Sequence, residues 1–458
     1  MEYIAQIVSR QRAFFNTNKT KSISFRKEQL LKLKSVLQEN EKAIYIAIYD
    51  DFKKSEFDTY ATELALVYHE IDTALKKIKK WSSKKKVTTN IVNFPGKSFI
   101  HAEPLGICTI IGAWNYPIQL ILTPLIGALA AGNTAIVKPS ELTPKISSLI
   151  ANLINTNFNN AYLYVLEGSI PETTALLEQK VDHIFFTGST YVGKIIYQAA
   201  AKNLTPVSLE LGGKSPAIIS QSANLKMTAK RLVWAKFLNA GQTCIAPDYV
   251  VIHESVKKEF IALCKQEIEK ADYKFSNHNF SQIISDKHFN RLTEYLNEGT
   301  IEIGGTTNAH ERYIAPTILS GISFKSKCMQ NEIFGPILPI ITYDNLDGII
   351  SEIKQKDKPL SLYLFTENKN DKEKIINEIS FGGGCINDAV MHITNSNLPF
   401  GGVGASGIGN YHGEHSFKTF SHFKSIVSKS SWIELPLKFS PLTPSKLKWI
   451  KLLMRFNP

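Results

Sequence analysis

The chain has 458 residues, 43% of them hydrophobic and 21% charged. That length exceeds what one hydrophobic core usually fills, so two or three lobes are expected, and the composition excludes long disorder or a fibrous repeat. The net charge of +12 comes without any aromatic or motif pattern of nucleic-acid recognition, so lysine-rich stretches such as 76–86 read as solvated surface and no nucleic-acid partner is expected.

The opening MEYIAQIVSRQRAFF spreads its charges and has no unbroken apolar run before a small-residue cleavage site, so a cytoplasmic protein is expected. Apolar positions at three and four spacing, as in Leu30, Leu33, Val36 and Leu37, predict helices over 26–50 and 59–80. From Leu105 the pattern changes to short apolar runs ending in Gly, Asn or Pro, each followed by a helical stretch: LGICTIIGAWN, NTAIVKPS, AYLYVLEG and DHIFFTGS. Such alternation predicts βα units on a mainly parallel sheet. Ligands bind beyond the carboxyl ends of such strands, where Asn115, Lys138 and Gly188 fall. The longest apolar stretch, Ile118 to Ala131, contains Gln119, Pro124 and Gly127 and is short for a membrane span, so it reads as a buried core helix.

A second alternating region starts near Pro206 with VSLELGGKSPAIIS, passes through a helix at Leu225 to Leu238 and reaches about Ile386. Residues 86–103 and about 420–435 are strand-like pieces outside both patterns, suited to an arm that pairs with another chain. Near the end, Lys446 to Phe456 sets Leu, Trp, Ile and Met among cations, the pattern of a segment that contacts a membrane surface or covers a neighbouring lobe. The five cysteines, Cys108, Cys244, Cys264, Cys328 and Cys385, are scattered without CxxC or Cys/His spacing, so reduced thiols and no metal site are expected.

Two stretches carry chemistry. NAGQTC places the Cys244 thiol just after a glycine-containing turn that can present a nucleophile with little obstruction. TPVSLELGGK ends an apolar strand with Glu210, on a turn whose two glycines allow close backbone approach. Taken alone, Glu210 reads as a surface or ion-paired carboxylate, and beside Cys244 it becomes a candidate partner for a nucleophilic thiol.

PLGICTIIGAWNYP, NTAIVKPSE, FFTGST, LELGGKSP, NAGQTCIAPDY, NEIFGPILP and LPFGGVGASGIGNYHG follow one another from about residue 104 to 413. In sequence and order these blocks resemble the aldehyde dehydrogenase family, and specifically its class 3 or fatty-aldehyde branch. The resemblance implies an α/β fold with a parallel-sheet NAD(P)-binding domain, an α/β catalytic domain and a small β oligomerisation arm. Residues 1–85 and 104–209 would form the first, 210–386 the second, 86–103 and 387–435 the bridging and oligomerisation segments of a homodimer, and 436–458 a basic amphipathic tail.

The resemblance also implies roles. Cys244 would be the nucleophile and Glu210 the general base, with the Asn115 side chain and the Cys244 N–H holding the oxyanion. Lys138 and Glu141 would meet the adenosine ribose, Gly188 and Ser189 the pyrophosphate, Glu332 the nicotinamide ribose, and Phe334 would pack beside it. Tyr116, Trp234, Phe400 and His412 would line a pocket for medium- to long-chain aliphatic or aromatic aldehydes. Glu141 opposes a 2′-phosphate, so NAD is expected, with NADP possible. Gly188-Ser-Thr-Tyr-Val-Gly193 lacks the middle glycine of the dinucleotide fingerprint, as fits a family with a different cofactor pose. Two other readings remain: an acylating dehydrogenase that passes the thioester to coenzyme A, and a catalytically silent binding protein on the same fold.

Overall fold

The computed structural model describes residues 2–455 and holds two mainly parallel sheets. The first has six strands in the spatial order Gly407–Ile408, Val207–Glu210, His183–Thr187, Ile107–Ile111, Thr134–Lys138 and Leu163–Val165. All are parallel except the short Gly407–Ile408 strand. The strand Ile107–Ile111 is buried along its whole length, as expected where both faces of a sheet are covered. It has Thr134–Lys138 on one side and His183–Thr187 on the other. The strand order therefore reverses at Ile107–Ile111, and the crevice beyond its carboxyl end is a topological switch point.

The second sheet has seven strands, ordered Thr300–Ile303, Thr317–Ser320, Ile337–Tyr343, Tyr249–His253, Pro216–Ile219, Ser361–Phe365 and Gly383–Ile386. Only Thr300–Ile303 runs antiparallel. A third, antiparallel sheet joins Lys85–Val87, Lys97–Pro104 and Ser421–Ser428. The two strand-like segments predicted for an arm thus pair with each other, across almost 320 residues of intervening chain, and the outer edge of Ser421–Ser428 has no partner strand among the described residues.

Several details differ from the sequence pattern. The predicted helix over 26–50 is two helices, Ile23–Glu39 and Glu41–Phe52, because the chain leaves helical geometry at Asn40, whose φ is −115°. The stretch over 59–80 contains a π-helical turn, Tyr60–Leu64, before Ala65–Trp81. A further helix, Glu2–Asn16, presses Ile4, Ile7 and Val8 into the core beside the first sheet. Val207–Glu210, which the alternation groups with the second lobe, pairs with His183–Thr187 and completes the first sheet. Periodicity marks a strand but not its neighbour, and only the pairing decides to which sheet it belongs.

Gln119–Ala131 is a buried core helix, as predicted. It ends at Gly132, where φ is +98° and an added Cβ would lie 2.6 Å from the Arg26 guanidinium. The C-terminal helix Pro444–Arg455 buries none of its residues. Residues 456–458, the end of the predicted basic tail, lie outside the described residues. No helix among the described residues is long and apolar enough to cross a membrane.

Candidate active site

Three loops beyond the strand ends meet at Cys244. The strand Val207–Glu210 ends on Glu210, whose register partner is Thr187 and whose carbonyl accepts a hydrogen bond from the Gly188 N–H at 3.0 Å. Asn115 follows Ile107–Ile111 and lies buried in the switch-point crevice. Cys244 follows the helix Leu225–Phe237, whose first turn is capped by the Asn224 side chain accepting from Met227 N.

Between helix and thiol the backbone turns through left-handed geometry at Asn239, Ala240 and Gly241, with φ of 52°, 53° and 73°. Only glycine fits the last of these, since a Cβ there would stand 2.3 Å from the Gly335 carbonyl oxygen. Two strained non-glycine residues in succession need compensation. Asn239 Nδ2 supplies part of it by donating to the carbonyls of Asn115 and Gln242 at 3.0 and 3.2 Å. Gln242 is held in turn by donating to Gln282 O and accepting from Ile284 N. Asn115 Nδ2 donates to Gln242 O at 3.1 Å, which uses one of its two hydrogens and leaves the other without a partner among the described residues.

The thiol sits where two cavities join. One, of about 860 Å³, is a cleft of mixed polarity lined by Trp114, Asn115, Gly188, Ser189, Glu332 and Phe334, among others. The other, of about 250 Å³, is walled by Tyr116, Leu120, Trp234, Leu238, Ile393 and Phe400, among others. Cys244, Glu210, Thr187 and Leu211 line both.

The carboxylates and the thiol are strongly desolvated. Burial pushes the Cys244 thiol up to about 12, with the charges of Glu332 and Glu210 adding to the rise. The amides of Cys244 and Ile245 oppose it by favouring the thiolate. Burial also raises Glu210 well above the ordinary carboxylate range, and neither of its side-chain oxygens has a partner among the described residues. Glu332 is pushed up to about 8 by burial, with Asp248 adding to it and Lys214 opposing.

The cleft suits a dinucleotide. Ser189 caps the helix Thr190–Ala201 by accepting from Val192 N, so a helix N-terminus opens onto the cleft, a ready site for phosphate. At Gly212 an added Cβ would stand 2.1 Å from Glu332 Oε2, so only glycine lets that carboxylate keep its place. Phe334 has φ of +51° and packs edge-on against Trp114 with ring centroids 5.4 Å apart.

Three predicted residues stand elsewhere. Lys138 and Glu141 line neither cavity; Lys138 is buried and ion-paired to the half-exposed Glu141 at 3.0 Å, at the carboxyl end of Thr134–Lys138. His412, expected in the pocket wall, is buried behind it: its ring stacks on Phe400 at 5.2 Å and 17°, and it lines neither cavity. Burial depresses His412 to about 3, so it packs there as a neutral ring.

Other residues hold the site without having been singled out. Lys214 pairs with Asp248 and donates to the carbonyls of Cys328 and Asn331 at 2.8 and 2.9 Å. Asp248 accepts from Ile333 N at 2.9 Å, and Arg291 donates to the carbonyls of Glu332 and Ile333. Together they fix the loop that carries Glu332. Lys214 and Asp248 lie inside blocks already quoted, LELGGKSP and CIAPDY; a charge beside motif glycines or behind a nucleophile was the available signal. Arg291 carried none.

A doubly sheeted α/β protein with a half-buried thiol where a large cleft at a topological switch point meets an apolar pocket has the architecture of a dehydrogenase. The chain belongs to the aldehyde dehydrogenase family, whose sequence model matches residues 2–426, in its class 3, fatty-aldehyde-like branch, and it oxidises aldehydes with NAD or NADP. It is 49% identical to the 4,4'-diaponeurosporen-aldehyde dehydrogenase of Staphylococcus aureus (strain NCTC 8325 / PS 47), over 98% of this chain and 99% of that one. It is 43% identical to aldehyde dehydrogenase family 3 member A2 of Macaca fascicularis, over 98% of this chain and 94% of the relative. The solved substrate-bound state of Staphylococcus aureus AldH superposes with a TM-score of 0.96 at 48% identity, covering 98% of this chain and 99% of that one.

Proposed function

We propose that this enzyme oxidises apolar aldehydes, medium- to long-chain aliphatic or aromatic, to carboxylic acids through a thioester on Cys244 that water then hydrolyses. One observation carries the reading: Cys244 and Glu210 belong to the walls of both the large cleft and the apolar pocket. A substrate reaching the sulfur from the apolar side meets a group held in the cleft at the same atom.

In this reading the Cys244 thiol gives its proton to water in the cleft, the thiolate sulfur bonds to the carbonyl carbon, and the C=O π pair moves onto the carbonyl oxygen, which takes the negative charge. The free hydrogen of Asn115 Nδ2 and the Cys244 N–H hold that oxyanion, each such donor contributing on the order of 3 kcal/mol. A bound nicotinamide would supply the hydride acceptor that lets the adduct on Cys244 become a thioester. Glu210 then takes a proton from water as the water attacks the thioester carbon, the C–S bond breaks, and the acid departs. Its two unpartnered oxygens are free to hold that water, and a raised pKa makes a carboxylate a stronger base near neutrality. Glu332 would fix the nicotinamide ribose beside Phe334, and the Gly188–Ser189 turn would receive the pyrophosphate. Lys138 and Glu141 would meet the adenosine ribose as an ion pair from which the hydroxyls draw one partner each. Trp234, Tyr116 and Phe400 would enclose the substrate chain, with His412 stiffening Phe400 from behind.

The free edge of Ser421–Ser428 would pair two copies into a homodimer, which light scattering at twice the chain mass would verify. The function itself is tested by following NADH across a panel of aldehydes with and without coenzyme A. Turnover of long-chain aldehydes without coenzyme A is expected; a strict requirement for coenzyme A would favour the acylating alternative.

A further inference from the structure

Beneath the Asn115–Tyr116 turn lies an ion pair that the reaction as written does not use. Lys54 and Glu63 both have fully buried side chains, with Nζ to Oε1 at 2.6 Å. The second carboxylate oxygen, Oε2, accepts from the backbone N–H groups of Ile118 and Gln119 at 2.8 and 3.2 Å. Those are the first donors of the core helix Gln119–Ala131, which has no side-chain cap of its own at Ile118. A carboxylate there satisfies orphan donors and meets the positive end of the helix dipole. The Lys54 ammonium also lies 4.1 Å from the centre of the Tyr116 ring, on which a desolvated cation is held by the ring's quadrupole.

The same turn is tied to the nucleophile from the other side. Tyr116 Oη and Thr243 Oγ1 are 2.6 Å apart, one residue before Cys244. Asn239 Nδ2 grips the Asn115 carbonyl, and Asn115 Nδ2 the Gln242 carbonyl. Glu63 is supplied by the π-helical turn Tyr60–Leu64, a local irregularity that often marks a functional position. Its neighbours Ala61 and Thr62 line the apolar pocket. A buried ion pair is a poor stabiliser, since an apolar pair of similar shape commonly does as well. Its value here is geometric.

We propose that Lys54 and Glu63 are positioning residues for the oxyanion-binding turn: by anchoring the start of the helix and the face of Tyr116, they hold Asn115 and Tyr116 against Cys244. This rests on the reading in which Asn115 and Cys244 carry out the chemistry.

The test compares Lys54→Met and the double variant Lys54→Met/Glu63→Gln with wild type in rapid mixing with aldehyde and NAD. The single variant leaves a carboxylate buried without its cation and is expected to lower the thermal midpoint, whereas the double removes both charges and should restore it. In the double variant the first-turnover NADH rate and ester hydrolysis should both fall about tenfold or more, since both pass through the same oxyanion. The KM for NAD should not change. A double variant that is folded and acylates at the wild-type rate would overturn the proposal, and so would a loss confined to the KM for NAD. If the double variant does not fold, Lys54→Arg decides, since it keeps the charge but not the compact ammonium beneath Tyr116: a first-turnover rate lowered several-fold with the KM for NAD unchanged supports the pair's positioning role, while wild-type acylation overturns it. Mass spectrometry on the same samples separates this question from the parent reading. Slowed formation of an acyl adduct on Cys244 concerns the ion pair, and an adduct on any other residue concerns the nucleophile.

Discussion

The two cavities that meet at Cys244 are held in shape by different physics. On the cleft side, side chains grip backbone: Lys214, Asp248 and Arg291 converge on the loop 328–333, and Asn239 and Gln242 lock the loop before the thiol. On the pocket side, Leu120, Trp234, Leu238, Ile393 and Phe400 pack by shape, backed by the stacked His412 and by Tyr411 edge-on to Phe400. Hydrogen-bonded geometry accepts few residue types, whereas apolar walls of similar volume can be exchanged at small cost. The cleft is therefore specific in its parts and the pocket only in its overall shape. Substitutions on the two sides should accordingly affect different halves of the reaction.

The largest effect is expected where the cavities join. Cys244→Ala should reduce both aldehyde oxidation and ester hydrolysis by at least about four orders of magnitude, because both need the same acyl-enzyme. Either activity surviving at a substantial level would remove Cys244 as the nucleophile, and with it the idea of a shared junction.

Glu210→Gln keeps the shape of the junction and removes the proposed base. Deacylation should slow by roughly a hundredfold to ten-thousandfold while the first hydride transfer persists. Rapid mixing should then give a burst of at most about one NADH per site, with the acyl group found on Cys244. Because burial raises Glu210 above the ordinary carboxylate range, the carboxylate form is lost as pH falls from a higher value than for an exposed glutamate. Wild-type deacylation should therefore rise with pH through that displaced limb, and the limb should be absent in the variant. If the burst itself weakens, Glu210 also takes the thiol's proton.

Glu332→Gln acts first on the cleft, and by removing a charge that raises the Cys244 thiol it also favours the thiolate. Freeing the ribose that Glu332 is proposed to hold should raise the KM for NAD and slow hydride transfer by about tenfold to a hundredfold, with NAD-independent ester hydrolysis not lowered. Equal losses in both assays would mean that the cleft and the junction are one unit, and the comparison of the two sides would fail.

The same contrast explains what the sequence disclosed. Asn115, Glu210, Cys244, Glu332 and Phe334 stand in short blocks because each sits on a turn at a strand or helix end, where backbone geometry and chemistry constrain several neighbours at once. The alternation of strands and helices gave the parallel sheets for the same local reason. Less local features were harder to read. Val207–Glu210 joins the first sheet through pairing that no period-two pattern encodes. His412 follows the aromatic Phe400 and Tyr411 in one block, yet it stacks behind the wall instead of facing the cavity. Lys54 and Glu63 are two ordinary charges in the N-terminal region; only the tertiary fold brings Glu63 to the start of a helix 55 residues further along the chain and Lys54 beneath Tyr116. Arg291 reaches its carbonyls across about 40 residues.

The smallest effect concerns the apolar side. Trp234 lines the pocket while 42% exposed, so it stands at the mouth, whereas the buried Phe400 and Tyr116 stand deeper. Each substrate methylene that leaves water contributes about 0.8 kcal/mol, which is roughly fourfold in kcat/KM. Along a series of straight-chain aldehydes, kcat/KM should climb by up to about that factor per carbon until the chain reaches solvent. Trp234→Ala removes wall only from the outer part of this path. Short aldehydes should be oxidised as by wild type, and the advantage of the longest members should shrink by several-fold, with the burst amplitude and the KM for NAD unchanged. A uniform loss at all chain lengths would mean that Trp234 supports the helix carrying the catalytic loop and not the substrate. An unaltered chain-length profile would mean that the aldehyde's tail leaves by another route, and the pocket would then lose its claim to substrate choice.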